Sequence, residues 1–344
     1  NTLRTGPFVL HVGRLVKGTM GVGTRVQTQV DRSRHHSIES CHTATHLLNH
    51  ALRGVLGEGT DQRGSLVASD RLRFDYAARE APNTEQLQAI EDAVRSDIDS
   101  NLRVDAKELE LQIAEQITGV RAVFGERYPD PVRVVSIGAT IADLQNDPTS
   151  QNWLNQSTEF CGGTHLPSTG GINDFIIVQE QSLAAGIRRV TALVGDAASA
   201  MRHQGENLFT HLKNMEALPE SELPSAVDEA SRLLSESDLG LLHRRHAEAM
   251  LNTLRDQAKS ARRLAAGAAR EQAVRTAQNL AETSNETLVI GEIEANDRDT
   301  LLAGMDAARG VRPDAACLLA ARPPGESSVI FAARVPDTLI GKGL

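Results

Sequence analysis

Two short runs carry the residue types that bind metals. His42-Thr-Ala-Thr-His46 sets two imidazoles four residues apart, and Cys161-Gly-Gly-Thr-His165 sets a thiol and an imidazole at the same spacing. On a helix each residue turns the chain by about 100°, so positions i and i+4 present their side chains to one side, a turn apart. His50 continues that row, which makes His46/His50 a competing pair. It ranks lower because each step of four drifts by about 40° and one adjacent pair is enough. In the second run, Gly162 and Gly163 are read as free to take backbone angles closed to other residues, letting the loop fold Cys161 and His165 onto one point. Each run alone is a weak signal: two histidines on a helix commonly hold no metal, and the cysteine loop reads equally as a turn with a buried thiol. Together they offer three nitrogens and one sulfur. That is a tetrahedral zinc set, one ion per chain, with bonds of about 2.0–2.3 Å.

Such residues need elements to hold them. A helical pattern starts at Ser40, where Leu47, Leu48, Ala51, Leu52, Val55 and Leu56 recur at helical spacing, and Gly57 and Gly59 supply a stop. Cys41, about 100° around from His42, is read as a packing residue. Ser65-Leu-Val and Arg71-Leu-Arg-Phe-Asp-Tyr alternate as paired strands. A second helix is expected from Thr84, as its N-cap, to Ser100, with further strands from Val132 and from Phe175. Residues 38–196 thus predict one α+β domain of helices interleaved among antiparallel strands.

Ahead of it, residues 1–37 read as a partial β-barrel. Phe8 to Val12 and the alternating Thr24 to Val30 are its strands, punctuated by Gly13, Gly18, Gly21 and Gly23. Beyond it, residues 197–284 predict a helical arm that Pro219 and Pro224 divide into a shorter and a longer piece. The longer one, about 240–283, has the length of a hairpin arm or coiled coil. His243, Arg244, Arg245, Lys259, Arg262 and Arg263 charge it, as a solvated helical face would be. Residues 285–344 predict a small βαββ unit: a strand from Thr287, a helix over 297–309, strands from Ala315 to Ala321 and Ser328 to Val335, and a closing Gly341-Lys-Gly-Leu344 turn.

Composition bounds the rest. A net charge of −9 argues against wrapping nucleic acid with the whole surface, and DNA is not an expected partner. There is no apolar run of about 18–20 residues to span a membrane. Three cysteines, Cys41, Cys161 and Cys317, are too few for a disulfide framework, so a reducing, cytoplasmic setting is expected. The first residue is Asn1, which suggests a piece of a longer chain. No P-loop or dinucleotide-binding glycine pattern is present.

Six blocks occur in a fixed order: His42-Thr-Ala-Thr-His46-Leu-Leu, Gly64-Ser-Leu-Val, Leu72-Arg-Phe-Asp, Phe124-Gly-Glu-Arg-Tyr, Cys161-Gly-Gly-Thr-His165 and Gly186-Ile-Arg-Arg189. They resemble the editing domain of alanyl-tRNA synthetases, over about residues 1–196. The arm and the βαββ unit resemble, through weaker motifs, that family's dimerising helical arm and C-terminal tRNA-binding domain, the latter cut short at Leu344. The resemblance implies hydrolysis of Ser-tRNA(Ala) or Gly-tRNA(Ala), contact with the tRNA(Ala) acceptor end, and a homodimer. It also implies that ATP belongs to an aminoacylation domain absent here. It makes His42, His46, Cys161 and His165 the zinc ligands. Thr45 and Gln62 become the pocket residues that distinguish amino acids, because a polar group that bonds the serine hydroxyl is left unpaired by alanine. Arg188 and Arg189 become the dibasic strand that touches acceptor-stem phosphates or braces the site. Since neighbours on a strand face opposite ways, one at most points in. Gly162 and Gly163 shape the substrate side of the loop. Two features depart from the commonest pattern of the family: Asp61 replaces a small or hydroxyl residue, and an insertion of about Asp143 to Gln156 precedes the cysteine loop. Competing readings are a tRNA-binding and dimerisation module with structural zinc, a free-standing aminoacyl-tRNA deacylase, and an unrelated metallohydrolase. The last is weakened by the lack of an HExxH glutamate or paired carboxylates beside the histidines.

Overall fold

The computed structural model describes residues 2–6, 8–123, 126–284, 286–323 and 328–340. Phe124 and Gly125, which open one of the six blocks, and the closing turn at 341–344 lie outside them. The chain begins with an antiparallel hairpin, β1 (Thr2–Thr5) and β2 (Phe8–His11). The strand expected at Thr24 to Val30 is not formed, and the described residues close no barrel there. Val26 and Val30 are 60% and 61% exposed, so their alternation has no surface to pack on, and a strand without a partner leaves its backbone groups unpaired.

Helix α1 (Arg32–Leu56) starts earlier than the apolar spacing suggests. Asp31 caps it, its carboxylate accepting from the Arg34 N–H at 3.1 Å, and the first turns are polar, so no apolar period marks them. Strands β3 (Gln62–Val67) and β4 (Leu72–Ala77) pair antiparallel as expected. Helix α2 (Thr84–Asp99) is capped by Asn83 rather than Thr84, because Asn83 and Gln86 form a reciprocal capping box. There follow β5 (Val104–Leu109), a single turn α3 (Leu111–Ala114), β6 (Val132–Ile137), a short α4 (Ile141–Asn146), β7 (Ser157–Phe160), β8 (Phe175–Ala184) and β9 (Ile187–Val194).

These strands make two antiparallel sheets, in the orders β3-β4-β9-β8 and β5-β6-β7. The first packs against α1 and α2 through Leu47, Leu48, Leu52, Phe74, Tyr76, Ile90 and Phe175, all at most 1% exposed. The second has its own smaller core around Val132, Val134, Ile141 and Leu144. Helix α1 thus lies on the large sheet, while one polar stripe of it faces the strand and loop that leave the small sheet.

The helical arm has three pieces, not two: α5 (Gly195–Met215), α6 (Leu223–Glu236) and α7 (Leu241–Thr283). Pro224 starts α6 rather than merely breaking the chain, since the first turn does not need its missing N–H. Leu251, Leu254 and Ala258 of α7 share a core with α5 and α6. The βαββ unit forms as the sequence reads: β10 (Leu288–Glu292), α8 (Arg298–Val311), β11 (Ala316–Ala321) and β12 (Ile330–Arg334), with a terminal turn α9 (Asp337–Ile340). β10 and β11 are parallel, and β11 and β12 antiparallel. This unit packs on Ala273, Ala277 and Ala281 of α7. No helix of the described residues is long and apolar enough to cross a membrane.

Candidate metal centre

On α1, His42, His46, Asn49 and Arg53 fall at i, i+4, i+7 and i+11, so helical geometry puts all four on one face. Across from them β7 delivers the cysteine loop. The loop is pinned from β6: the Cys161 N–H donates to the Arg133 carbonyl at 3.0 Å, and the Arg133 guanidinium donates to the carbonyls of Cys161 and Gly163 at 2.7 and 2.8 Å.

The two pairs meet. One ligand atom from each of His42, His46, Cys161 and His165 lies within 4.8 Å of the others. The Cys161 Sγ is 3.4 Å from His42 Nε2 and 3.5 Å from His165 Nε2. The rings of His42 and His165 stack at 4.1 Å between centroids, and His46 stands edge-on to both. The His42 Nδ1–H donates to the Thr164 carbonyl at 3.0 Å, which leaves Nε2 unprotonated and facing the thiol. The His165 Nδ1 lies 3.3 Å from the Thr43 hydroxyl, which also accepts from the Leu166 N–H at 3.1 Å. The His46 Nε2 is 3.7 Å from the Glu159 carboxylate, while its Nδ1 is buried without a hydrogen-bond partner.

Burial sets the protonation states. It lowers the pKa of His42 against the upward pull of the Thr164 carbonyl, lowers that of His46 well below the ordinary histidine value, and takes His165 down to about 3; neighbouring imidazoles add to the effect at His46 and His165, and Arg133 at all three. Three neutral imidazoles therefore offer lone pairs at neutral pH. Burial pushes the Cys161 thiol up, so its anion needs a cation beside it. Burial also lifts Glu159 to about 7, against the opposing pull of Asn49, Arg121 and Arg53.

A metal ion fits these residues on three grounds. The His46 Nδ1 is a buried polar atom otherwise left unsatisfied, which costs about 1–3 kcal/mol. Gly163 leaves room that a side chain would fill, since a Cβ there would lie 2.3 Å from His42 Cε1. The donor set is three imidazoles and a thiol, a combination that zinc takes, with one ligand atom of each within 4.8 Å of the others.

Gly163 is therefore needed for space. The expectation that the two glycines adopt unusual backbone angles is not met: neither has a positive φ, and a Cβ on Gly162 would meet nothing within 4 Å. His50 is outside the His/Cys group and faces Arg53 and Arg121 instead.

The remaining candidate residues are placed as follows. The buried Thr45 hydroxyl donates to the Cys41 carbonyl of its own helix at 2.7 Å. Gln62 lines a cavity of about 210 Å³ with Asn49, Arg53, Asp61, Arg121 and Glu159, and so shares Glu159 with the His46 environment. Asp61 accepts from Arg53 at 3.2 Å in the wall of that cavity. Arg188 and Arg189 point to opposite faces of the large sheet. Arg188 pairs with Glu180 beside buried Tyr76, and Arg189 makes a bidentate pair with Asp75 at 2.6 and 2.8 Å. The segment from Asp143 to Gln156 folds into the end of α4 and a 3₁₀ turn, Gln151–Asn155. The Trp153 indole N–H donates to the Asp147 carbonyl at 2.6 Å, and Leu154 and Gln156 wall a small cavity with Asn49 and His50.

Sequence reading missed Thr43, Arg133 and Glu159. Thr43 lies inside the histidine run and Glu159 two residues before Cys161. Only Arg133 has no signal, because a strand pairing brings it to the loop.

Residues 132–191 match the family described as the threonyl and alanyl tRNA synthetase second additional domain. The match holds Cys161 and His165 and excludes α1. The stretch from β6 to β9 thus resembles a domain of threonyl and alanyl tRNA synthetases.

The relatives narrow the class. The chain is 45% identical over 212 residues to an alanine–tRNA ligase of Candida albicans, covering 62% of this chain and 22% of that protein. It is 32% identical over 349 residues to the cytoplasmic alanine–tRNA ligase of Drosophila melanogaster, covering 98% of this chain and 36% of that protein. An alanine–tRNA ligase of Pseudomonas fluorescens is 39% identical over 239 residues, covering 70% and 25%. The chain belongs to the alanyl-tRNA synthetase family. It spans 22% to 36% of the length of these relatives.

Proposed function

We propose that this chain carries a zinc-dependent editing site that hydrolyses the ester of Ser-tRNA(Ala) or Gly-tRNA(Ala). The observation that carries the reading is the convergence of His42, His46, Cys161 and His165 on one point in a chain related to alanine–tRNA ligases. When bound, a zinc ion supplies positive charge that can polarise a carbonyl or lower the pKa of a water. The chain's own residues do the rest. The neutral imidazoles and the thiolate hold the ion. The cavity that Gln62, Asn49 and Glu159 line, joined to the ligand set through Glu159, receives the aminoacyl end. In this reading Gln62, on the cavity wall, bonds a substrate hydroxyl, while Thr45, bonded back to the Cys41 carbonyl, shapes the helix behind the ligands.

Arg188 and Arg189 act as braces of the sheet in this reading, each held by a carboxylate, with Arg189 on the outer face available to a phosphate if Asp75 yields. The partner is the acceptor end of tRNA(Ala), met through local patches, since the chain carries a net charge of −9. The arm and βαββ unit would serve dimerisation, and the setting would be the cytoplasm, as three free thiols suggest. Aminoacylation, with its ATP, is assigned to no residue of this chain.

A second reading keeps the zinc structural and the chain a tRNA-docking module. The four protein donors favour it, because a fully ligated ion has no open position. The test is deacylation of Ser-tRNA(Ala) and Ala-tRNA(Ala) by the zinc-loaded protein, with His46→Ala as control. Release of serine alone, lost in the variant, supports editing. No release with zinc fully bound supports the structural reading.

A further inference from the structure

We infer that Glu159 is the positioning residue for His46. It takes the Nε2–H side of the imidazole and leaves Nδ1 as the atom that binds the ion. This rests on the zinc reading above. Three observations carry it.

First, the two nitrogens of His46 have unlike surroundings: Nε2 faces the Glu159 carboxylate at 3.7 Å, and Nδ1 is buried with nothing to bond. Among the metal-set histidines this is the same division seen at His42, where Nδ1–H is taken by the Thr164 carbonyl and Nε2 faces the thiol. At 3.7 Å the carboxylate acts as a charge on the N–H rather than as a formed hydrogen bond. A carboxylate behind a ligating imidazole fixes its tautomer and raises its basicity.

Second, Glu159 is itself held. Its side chain is 13% exposed, and the Asn49 amide donates to its other oxygen at 2.8 Å. Asn49 follows His46 by three residues on the same face of α1, so one helix supplies both the ligand and the clamp on its partner.

Third, Glu159 joins the two halves of the site. It sits on β7 two residues before Cys161, in register with Val135 of β6, so the strand that delivers the thiol also delivers the carboxylate to the histidine helix. Burial of an acid against a buried imidazole has no packing purpose that a Gln or Leu would not serve. An orienting role toward a cation gives it one.

The experiment uses the full chain, measuring zinc dissociation by competition with a chromophoric chelator, the cobalt-substituted absorption spectrum, and melting of the metal-free protein. Glu159→Gln is expected to weaken zinc ten- to a hundredfold. The thiolate-to-cobalt band is retained, and the metal-free melting temperature does not fall. A merely structural Glu159 would lower the melting temperature and leave the affinity of the folded protein alone. Asn49→Ala is the second variant, expected to weaken zinc several-fold by freeing the carboxylate. Wild-type protein that binds zinc while Glu159→Gln and Asn49→Ala bind it equally well overturns this inference and spares the metal site. Wild-type protein that binds no zinc overturns both.

Discussion

Helices α1 and α7 teach different things about this chain. Helix α1 buries polar groups: Thr43, Thr45, His46, Asn49 and Arg53 are all at most 9% exposed. Each has at least one partner, and the atoms left without one belong to His46, in the metal set, and to Asn49 and Arg53, which line the neighbouring cavity. Helix α7 does the reverse in its middle. Residues 262–268 are exposed, Leu264 is 68% exposed among alanines, and the helix runs bare between two packed cores. The difference is that burying a polar side chain is costly unless it is paired, so a stripe of buried polar residues signals chemistry, whereas an exposed alanine-rich stretch signals a spacer.

That contrast can be broken by substitution, most sharply at the ligands. Cys161→Ala or His46→Ala should take zinc from one ion per chain to none by elemental analysis. At zinc a thousandfold above the dissociation constant, the wild type should gain about 4 kcal/mol of stability that the variants do not. Retained zinc in either variant would remove that residue from the set.

Next in size is the space kept by Gly163. A methyl group there meets the His42 ring, so Gly163→Ala should cost about 1–3 kcal/mol and weaken zinc. Gly162→Ala, which meets nothing, should do neither by the same urea melts.

The pH dependence of the metal-free protein comes third. The imidazoles have folded pKa values below their ordinary 6.5, about 3 for His165, so the unfolded chain binds more protons below pH 6.5. Their stability contribution is complete above 6.5 and is lost as pH falls towards 3. Glu159 has the opposite sign. Its folded value of about 7 lies above the ordinary 4.5, so its contribution is complete below 4.5 and is lost as pH rises through 7. The two partly cancel between pH 4.5 and 6.5. Glu159→Gln should therefore lose stability more steeply on acidification than the wild type, read from denaturant midpoints across that range. Parallel curves would show that Glu159 does not titrate there.

The smallest effect belongs to α7. Gly267 sits in its bare stretch with open space around it, so Gly267→Ala should stabilise the helix by up to about 1 kcal/mol and leave zinc binding unchanged. A loss of stability would contradict the open surroundings of Gly267.

Much of this was legible in the residues themselves. The i, i+4 histidines, the paired strands at Ser65 and Leu72, the long helix ending at Thr283 and the βαββ unit follow from periodicity and turn chemistry. What was not legible depends on partners far along the chain. Thr24 to Val30 alternates like a strand and finds nothing to pair with. Asn83 takes the cap from Thr84 because Gln86 can return the bond. Arg133 reaches the cysteine loop only through the pairing of β6 with β7. Glycine spacing around Cys161 was readable, but its cause, the nearness of the His42 ring, was not.

The most direct measurement is zinc-edge X-ray absorption of the purified, zinc-loaded chain. One ion per chain with three nitrogen neighbours at about 2.0–2.1 Å and one sulfur at about 2.3 Å is the expected result. An all-oxygen shell, or a sulfur that persists in Cys161→Ala, would contradict a centre built from His42, His46, Cys161 and His165.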